Sequence, residues 1–255
     1  MMQDPLSLRT TAVMHAAVLV AIDTLCTTVE HAANTYPINP VVIVPNERGG
    51  SVDSTGIAAQ LLTNPNFDCT ALRLAVDGTF LACTEMGGRS YARMLNMLDP
   101  LHNGFGRYDT PAGAHDRNMP LICSASWNAA RRECVIQPCT PPRIADGVED
   151  VSTGLSSAVA SAHAGFRHLS TVVTCELVVA WEGLARGGRS SPIHFPPQLA
   201  SVIGPAEMMA SYETEGQRFD LGAVRSHFLA RCRTLVPGLF PTAWLDKGEQ
   251  LSCKM

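Results

Sequence analysis

The segment His168–Glu182 constrains the fold of this chain most strongly, because its apolar residues alternate over fifteen positions. One predicted face is entirely apolar, and the other mixes small, apolar and acidic residues. Alternation of this kind is typical of a β-strand, in which successive side chains point to opposite sides of a sheet. The segment therefore predicts a long strand. The apolar face comprises Val173, Cys175, Leu177, Val179 and Trp181.

Shorter runs predict further antiparallel strands upstream. Residues 69–85 contain two runs joined by Asp77-Gly78, a pair that favours a two-residue hairpin turn. Residues 121–127 and 134–137 predict a second pair of strands, and Val41–Val44 predicts an isolated strand between prolines. Antiparallel pairing by hairpins fits this order better than a doubly wound parallel sheet.

Helices are predicted at both ends of the chain. The first 30 residues are rich in Ala, Val, Leu and Met, and we expect a helix buried on more than one side. Asp220 predicts the start of a C-terminal helix. The predicted fold class is α+β, with an antiparallel β-rich middle that is sandwich-like or jelly-roll-like. The predicted parts are an N-terminal helical segment (1–35), a β-rich domain with long loops (36–200) and a C-terminal helical segment (201–255), together forming one compact unit.

The charge content points to a surface used for protein contacts. Charged residues make up 16% of the chain, against about 25% in an average soluble domain. A protein that assembles into a larger particle can have few surface charges, because much of its surface is covered by neighbours. The loops at 86–120 and 183–200 are the predicted contact segments. The arginines are scattered singly, so free-standing nucleic-acid binding is not expected. The apolar stretch Ala12–Ile22 is too short to cross a bilayer, so no membrane span is predicted.

The nine cysteines form no Cys-x-x-Cys pair, and they predict free thiols in a reducing compartment. Cys123, Cys134 and Cys139, with His115 nearby, are the candidate zinc ligands. Their spacing fits no compact zinc knuckle or finger, so no zinc site is predicted. The carboxylates Asp146, Glu149 and Asp150 are read as a solvated acidic turn, with a cation site between subunits as the alternative.

No catalytic motif of high specificity is present. Ser51 follows two glycines, and His102, His115 or His163 could serve as its base, but no spacing connects them. The Asp53-Ser54-Thr55-Gly56 sequence has one residue too many for an aspartic-protease loop. We therefore predict no catalytic, cofactor-binding or metal-binding residues and no cofactor, and a protein that is not an enzyme.

A resemblance follows from the long strand Val172–Trp181 at the end of a loop-rich β region, with a helix after it. Over residues 40–185 this arrangement resembles the shell domain of small icosahedral virus coat proteins. The resemblance implies a jelly roll and a self-assembling capsid shell, clamp or decorating protein, found in the virion or host cytoplasm. Its partners would be copies of itself or another shell protein. The chain has no basic N-terminal arm, so it would not neutralise a genome itself.

Two other functions remain open from the sequence. One is a hydrolase with a serine or cysteine nucleophile in a Gly-rich loop, which unusually fast labelling of one such residue would reveal. The other is a scaffold subunit of a cellular complex.

Overall fold

The structure is a computed structural model that describes residues 4–35, 41–43, 60–63, 65, 67–103, 115–136, 153–186, 225, 226 and 230. Within these residues the chain is mainly helical. The helices are α1 (Leu6–Arg9), α2 (Thr11–Asn34), α3 (Thr70–Met97), α4 (Pro100–Asn103), α5 (His115–Glu133) and α6 (Leu155–Arg186). The predicted α+β class with a sandwich-like or jelly-roll-like middle is therefore wrong.

One small antiparallel pair is the β structure among the described residues. Strands β1 (Val41–Ile43) and β2 (Gln60–Leu62) pair with Val42 opposite Leu61. The β-branched run at 41–44 thus does form a strand over three of its four residues.

The predicted hairpin at residues 69–85 is the first half of helix α3. The buried side chains along α3 recur every three or four residues, which is the spacing of one helix face rather than of two strands. Asp77 lies inside this helix and accepts a hydrogen bond from Arg73 Nε at 3.2 Å, one turn earlier. The Asp-Gly pair is tolerated because a glycine inside a helix costs only about 1 kcal/mol. The buried residues of this region are Thr79, Phe80, Cys83, Thr84, Ser90, Arg93, Met94 and Leu98.

The long predicted strand at 168–182 is part of helix α6. Residues from both expected strand faces are buried together: Cys175 and Val179 from one, Thr174 and Val178 from the other. A segment that is apolar nearly all round satisfies helical and strand periodicity equally, and length decides between them. At 32 residues, α6 is far longer than a typical strand.

The second predicted strand pair is also helical. Residues 121–127 lie within α5, whose buried residues Met119, Cys123 and Ala130 recur at helical spacing. Residues 134–136 follow the helix without forming a strand, and residue 137 lies outside the described ranges. The basic pair Arg131 and Arg132 occupies the last turn of α5, where the negative end of the helix dipole favours positive charge.

Helix α2 confirms the predicted N-terminal helix but not its burial. Its buried residues are Met14 and Val18, whereas Val13 and Val20 are 72% and 67% exposed. By length and composition alone, α2 could cross a membrane, a criterion that core helices of soluble proteins and signal sequences also meet. The helix runs for 24 residues and so extends beyond the eleven-residue apolar stretch Ala12–Ile22.

The chain divides into two compact units. Unit 1 consists of Met1–Thr10, Gly87–Ala130 and Arg167–Met255, and unit 2 consists of Thr11–Met86 and Arg131–Phe166. The described core of unit 1 comprises Met94, Leu98, Met119, Cys123, Val172, Cys175, Val178 and Val179.

Unit 2 contains an aromatic pair in which the Phe80 ring is buried and the Phe166 ring is partly exposed. The rings of Phe80 and Phe166 meet edge to face, with centroids 5.4 Å apart. Gly165 lies against the Phe80 ring, where a side chain would not fit. The Thr79 hydroxyl lies 3.0 Å from the Ala21 carbonyl oxygen of α2 and 2.8 Å from the Ala75 carbonyl oxygen of its own helix.

Candidate functional site

A row of polar side chains on α3 holds the N-terminal segment within unit 1. Arg89 Nη1 donates to Thr10 Oγ1 at 2.7 Å, and Asn96 Nδ2 donates to Ser7 Oγ at 3.2 Å. Residues 89 and 96 are seven apart, about two helical turns, so they lie on the same side of α3. The two contacts therefore fix the ends of the short helix α1.

Arg9 lies on this segment between the two contact points. Its Nε donates to the Asp4 carbonyl oxygen at 3.0 Å, and the residue is exposed. This contact engages Nε of the guanidinium group with a neutral acceptor. A guanidinium held in this way is suited to binding a carboxylate with two parallel hydrogen bonds.

A buried ion pair lies next to this row of residues on α3. Arg93 Nε donates to Glu176 Oε1, and Arg93 Nη2 donates to Glu176 Oε2 at 2.9 Å. Ser90 Oγ donates to the same Oε2. Because the guanidinium and the carboxylate satisfy each other, the ion pair links α3 to α6 within unit 1. Arg93 is thereby committed to Glu176, unlike Arg9.

The described cysteines in the interior are poor nucleophiles. A hydrogen bond with Cys175, together with burial, raises the pKa of Cys123 well above its ordinary value. Burial raises the pKa of Cys83 to about 11, and burial also raises the pKa of Cys134. Since the thiolate is the reactive form, the raised pKa of each of these thiols lowers its reactivity at neutral pH. The cysteine version of the hydrolase alternative gains no support from them.

The sequence-derived candidates are not assembled into a site in the part of the chain that the structure describes. Cys123 lies in the core of unit 1, Cys134 just follows α5, and His102 is in α4. Across the described ranges, no three His, Cys, Asp or Glu side chains are grouped as metal ligands would be. His115 begins α5 and His163 lies in α6, while the remaining candidates fall outside the described residues: Ser51, Asp53, Cys139, Asp146, Glu149 and Asp150.

Sequence reasoning missed Ser7, Thr10, Arg89 and Asn96. The region 86–120 is predicted to be rich in loops, so no single helical face is predicted to carry both residue 89 and residue 96. The only available signal was their seven-residue separation, which has meaning only once the segment is recognised as helical. Their hydroxyl partners come from a distant part of the chain, and no local pattern indicates them.

Comparison with known proteins identifies the family. A model of the family described as "Aromatic amino acid lyase" matches residues 1–200. Histidine ammonia-lyase of Legionella pneumophila (strain Corby) is 25% identical over 203 residues, covering 78% of this chain and 37% of that protein. The same enzyme from strain Lens matches at the same identity and coverage. The chain thus spans about two fifths of the length of these curated relatives.

Solved structures share the fold. Ergothionase from Treponema denticola, an ergothioneine-degrading enzyme, superposes with a TM-score of 0.71 at 16% identity, covering 93% of this chain and 45% of that one. Histidine ammonia-lyase from Trypanosoma cruzi gives a TM-score of 0.69 at 16% identity, covering 91% of this chain and 44% of that one.

These findings overturn the sequence-based identification. The resemblance to jelly-roll virus coat proteins is wrong, and so is the expectation of a capsid or virion protein that is not an enzyme. The hydrolase and scaffold alternatives are also wrong, because the family that matches is one of lyases. The match covers well over half of the chain and includes α1 to α6: the chain belongs to the aromatic amino acid lyase family.

Proposed function

We propose that this protein takes part in the elimination of ammonia from an α-amino acid that carries an aromatic ring. L-Histidine is the first candidate substrate, because the curated relatives and one of the similar structures are histidine ammonia-lyases. The observation that carries the proposal is the family match over residues 1–200, which spans both compact units. Because the chain spans only part of its relatives, its activity is a proposal and not a consequence of the match.

The described residues contribute a means of binding the substrate's carboxylate. An α-amino acid is a zwitterion at neutral pH, and its carboxylate needs a cationic partner that is not already engaged by an acid. Arg93 is paired with Glu176, whereas Arg9 contacts a neutral carbonyl oxygen. We therefore assign Arg9 to the substrate carboxylate. This assignment rests on the exposure of Arg9 and on its contact with a neutral carbonyl oxygen rather than with an acid.

The test is release of ammonia by the full chain from L-histidine, L-phenylalanine and L-tyrosine, followed with a coupled glutamate dehydrogenase assay. Substrates are supplied at about 1 mM, near the upper end of the usual KM range. L-Alanine, which has no ring, serves as the substrate control. We expect ammonia from at least one aromatic amino acid and none from L-alanine.

The role of Arg9 is tested with a matched pair of variants. Arg9→Gln removes the guanidinium group from the proposed site, whereas Arg132→Gln removes an exposed arginine from the last turn of α5 in unit 2. We expect Arg9→Gln to raise KM for the amino acid by roughly tenfold or more, as for loss of a charge-assisted hydrogen bond. Arg132→Gln should leave KM unchanged.

The outcomes separate the two parts of the proposal. If no aromatic amino acid yields ammonia, the elimination is rejected, even if calorimetry detects binding. If ammonia is released but Arg9→Gln and Arg132→Gln behave alike, the elimination stands and the assignment of Arg9 is rejected.

A further inference from the structure

Helix α1 is held in place by polar contacts and not by hydrophobic burial. It has four residues, none of them buried, and Leu6 and Leu8 are 63% and 47% exposed. A helix of one turn is not stable by itself in water. Its position must therefore depend on what its side chains contact, and α3 supplies the contacts described above.

The Thr10 hydroxyl joins the two helices. Its oxygen donates to the Leu6 carbonyl oxygen at 2.8 Å, which caps the turn of α1, and accepts from Arg89 Nη1 at 2.7 Å. A hydroxyl group has one donor and two acceptor positions, so both bonds form at once. The Thr10 side chain therefore both caps the turn of α1 and links that turn to α3.

Arg89 contacts the N-terminal segment, whereas the nearby Ser90 and Arg93 of the same helix contact Glu176. Glu176 receives hydrogen bonds from Ser90 and from both Arg93 nitrogens. Arg89 bonds instead to a neutral hydroxyl of the N-terminal segment. Asn96 fastens the opposite end of the segment through Ser7.

We propose that Arg89 and Asn96 are positioning residues, which fix Arg9 by fastening residues 7 and 10 on either side of it. The inference rests on the proposed function, because it gives Arg9 the substrate carboxylate to bind. Arg89 and Asn96 themselves do not touch the substrate. Loosening either contact lets the Arg9 guanidinium occupy many orientations, so carboxylate binding weakens while the chemical step is unaffected.

The test compares Thr10→Val, which keeps the shape of the side chain but removes the hydroxyl, with Thr10→Ser, which keeps the hydroxyl. We expect Thr10→Val to raise KM for the amino acid about tenfold with little change in kcat. Thr10→Ser should restore KM to within about twofold. Thr24→Val is the matched control, since the Thr24 hydroxyl bonds only to Val20 of its own helix among the described residues, at 2.9 Å.

A double-mutant cycle identifies the partner. Arg89→Met removes the donor to Thr10, and in that background Thr10→Val should raise KM by much less than it does alone. Asn96→Leu and Ser7→Ala form the corresponding cycle at the other end. Fully additive effects in both cycles would overturn the proposal.

A second readout does not depend on activity. The amide hydrogens of Leu8, Arg9 and Thr10 bond to the Pro5 and Leu6 carbonyl oxygens, so their exchange with deuterium reports whether α1 is in place. We expect Thr10→Val and Arg89→Met to speed exchange in residues 8–10 and leave the Val172–Val179 core unchanged. Unchanged exchange at 8–10 would overturn the proposal even if KM rises.

Failure of the proposed function has a different signature. In that case no ammonia is released by any variant, while exchange at residues 8–10 still speeds up when the contacts are removed. If ammonia is released but KM is unchanged in Thr10→Val and Arg89→Met, the positioning role is rejected and the function stands.

Discussion

Gly165 lies directly against the aromatic ring of Phe80 in unit 2: a β-carbon at position 165 would be 1.9 Å from Phe80 Cζ. No side chain larger than hydrogen fits there without displacing the ring. Phe80 also meets Phe166, so the ring is held on more than one side. The contact shows that the glycine at position 165 lets the Phe80 ring pack closely against α6.

Gly165→Ala should therefore destabilise the protein by about 1–3 kcal/mol, as overpacking of a core usually does. The matched control is Gly78→Ala in α3, where a β-carbon meets nothing within 4 Å. That variant should be neutral or stabilising by up to about 1 kcal/mol, since alanine favours the helix. Urea unfolding of both variants measures the difference, and equal effects would contradict the packing described here.

Breaking the Arg93–Glu176 pair should be among the most damaging changes in unit 1. Side-chain exposures of 10% and 18% place both groups largely out of water. Glu176→Gln leaves Arg93 without its charged partner and should cost about 3–5 kcal/mol. The double variant Arg93→Met with Glu176→Leu should recover much of that loss, as measured by denaturant unfolding. A double variant as unstable as the single one would show that the charge is not the cause.

Cysteine labelling should follow burial. Cys26 is exposed, whereas Cys83, Cys123 and Cys175 are buried. With a pKa of about 11, Cys83 has only about one thiolate per thousand molecules at pH 8. Iodoacetamide at pH 8 should therefore modify Cys26 before Cys83, Cys123 and Cys175, as read by peptide mass spectrometry. Labelling of Cys83 at the rate of Cys26 would contradict its burial.

Because of the Cys83 thiol, we also expect the free energy of unfolding to depend on pH. Its pKa rises from 9.0 in the reference state to about 11 in the folded protein, so folding favours the neutral form. This contribution is complete below pH 9.0 and is lost as the pH rises toward about 11. Urea unfolding at pH 8 and pH 10 should show a smaller decrease in Cys83→Ala than in the unchanged protein. An equal decrease would mean that Cys83 does not contribute.

Neighbouring valines on α2 should respond differently to truncation. Val18 is 6% exposed and Val20 is 67% exposed. Val18→Ala removes two buried methyl-sized groups and should cost about 1.5 kcal/mol, at about 0.8 kcal/mol each. Val20→Ala should change the unfolding free energy by less than about 0.5 kcal/mol. A large loss in Val20→Ala would indicate that another surface covers this face of α2.

The sequence predicts some helices correctly and wrongly predicts strands in other helices, and each outcome has a physical reason. The apolar stretch after Thr11 predicts a helix because no strand signal competes with it, and α2 forms there. In residues 168–182 the apolar positions fit both periods, so alternation was mistaken for a strand. At Asp77-Gly78 a strong turn signal was outweighed by the helical face that runs through Phe80 and Met94.

The candidate site was less accessible to sequence reasoning than the helices. The sequence does not distinguish Arg9 from the other scattered arginines, because the Asp4 carbonyl oxygen and the side chains of α3 that hold its segment are seen only in the structure. Hydrogen bonds between residues 79 and 89 positions apart, such as Arg89–Thr10 and Asn96–Ser7, leave no periodic pattern. These hydrogen bonds can be recognised only from the three-dimensional positions of the helices.

Ammonia elimination by this chain is tested most directly by following the nitrogen atom itself. L-Histidine labelled with ¹⁵N at the α-amino group is incubated with the full chain, and ¹⁵N NMR follows the label. We expect the label to appear as free ammonium, with less of it formed per unit time in Arg9→Gln at low substrate. Retention of the label in the amino acid, with the same result for labelled phenylalanine and tyrosine, would contradict the account.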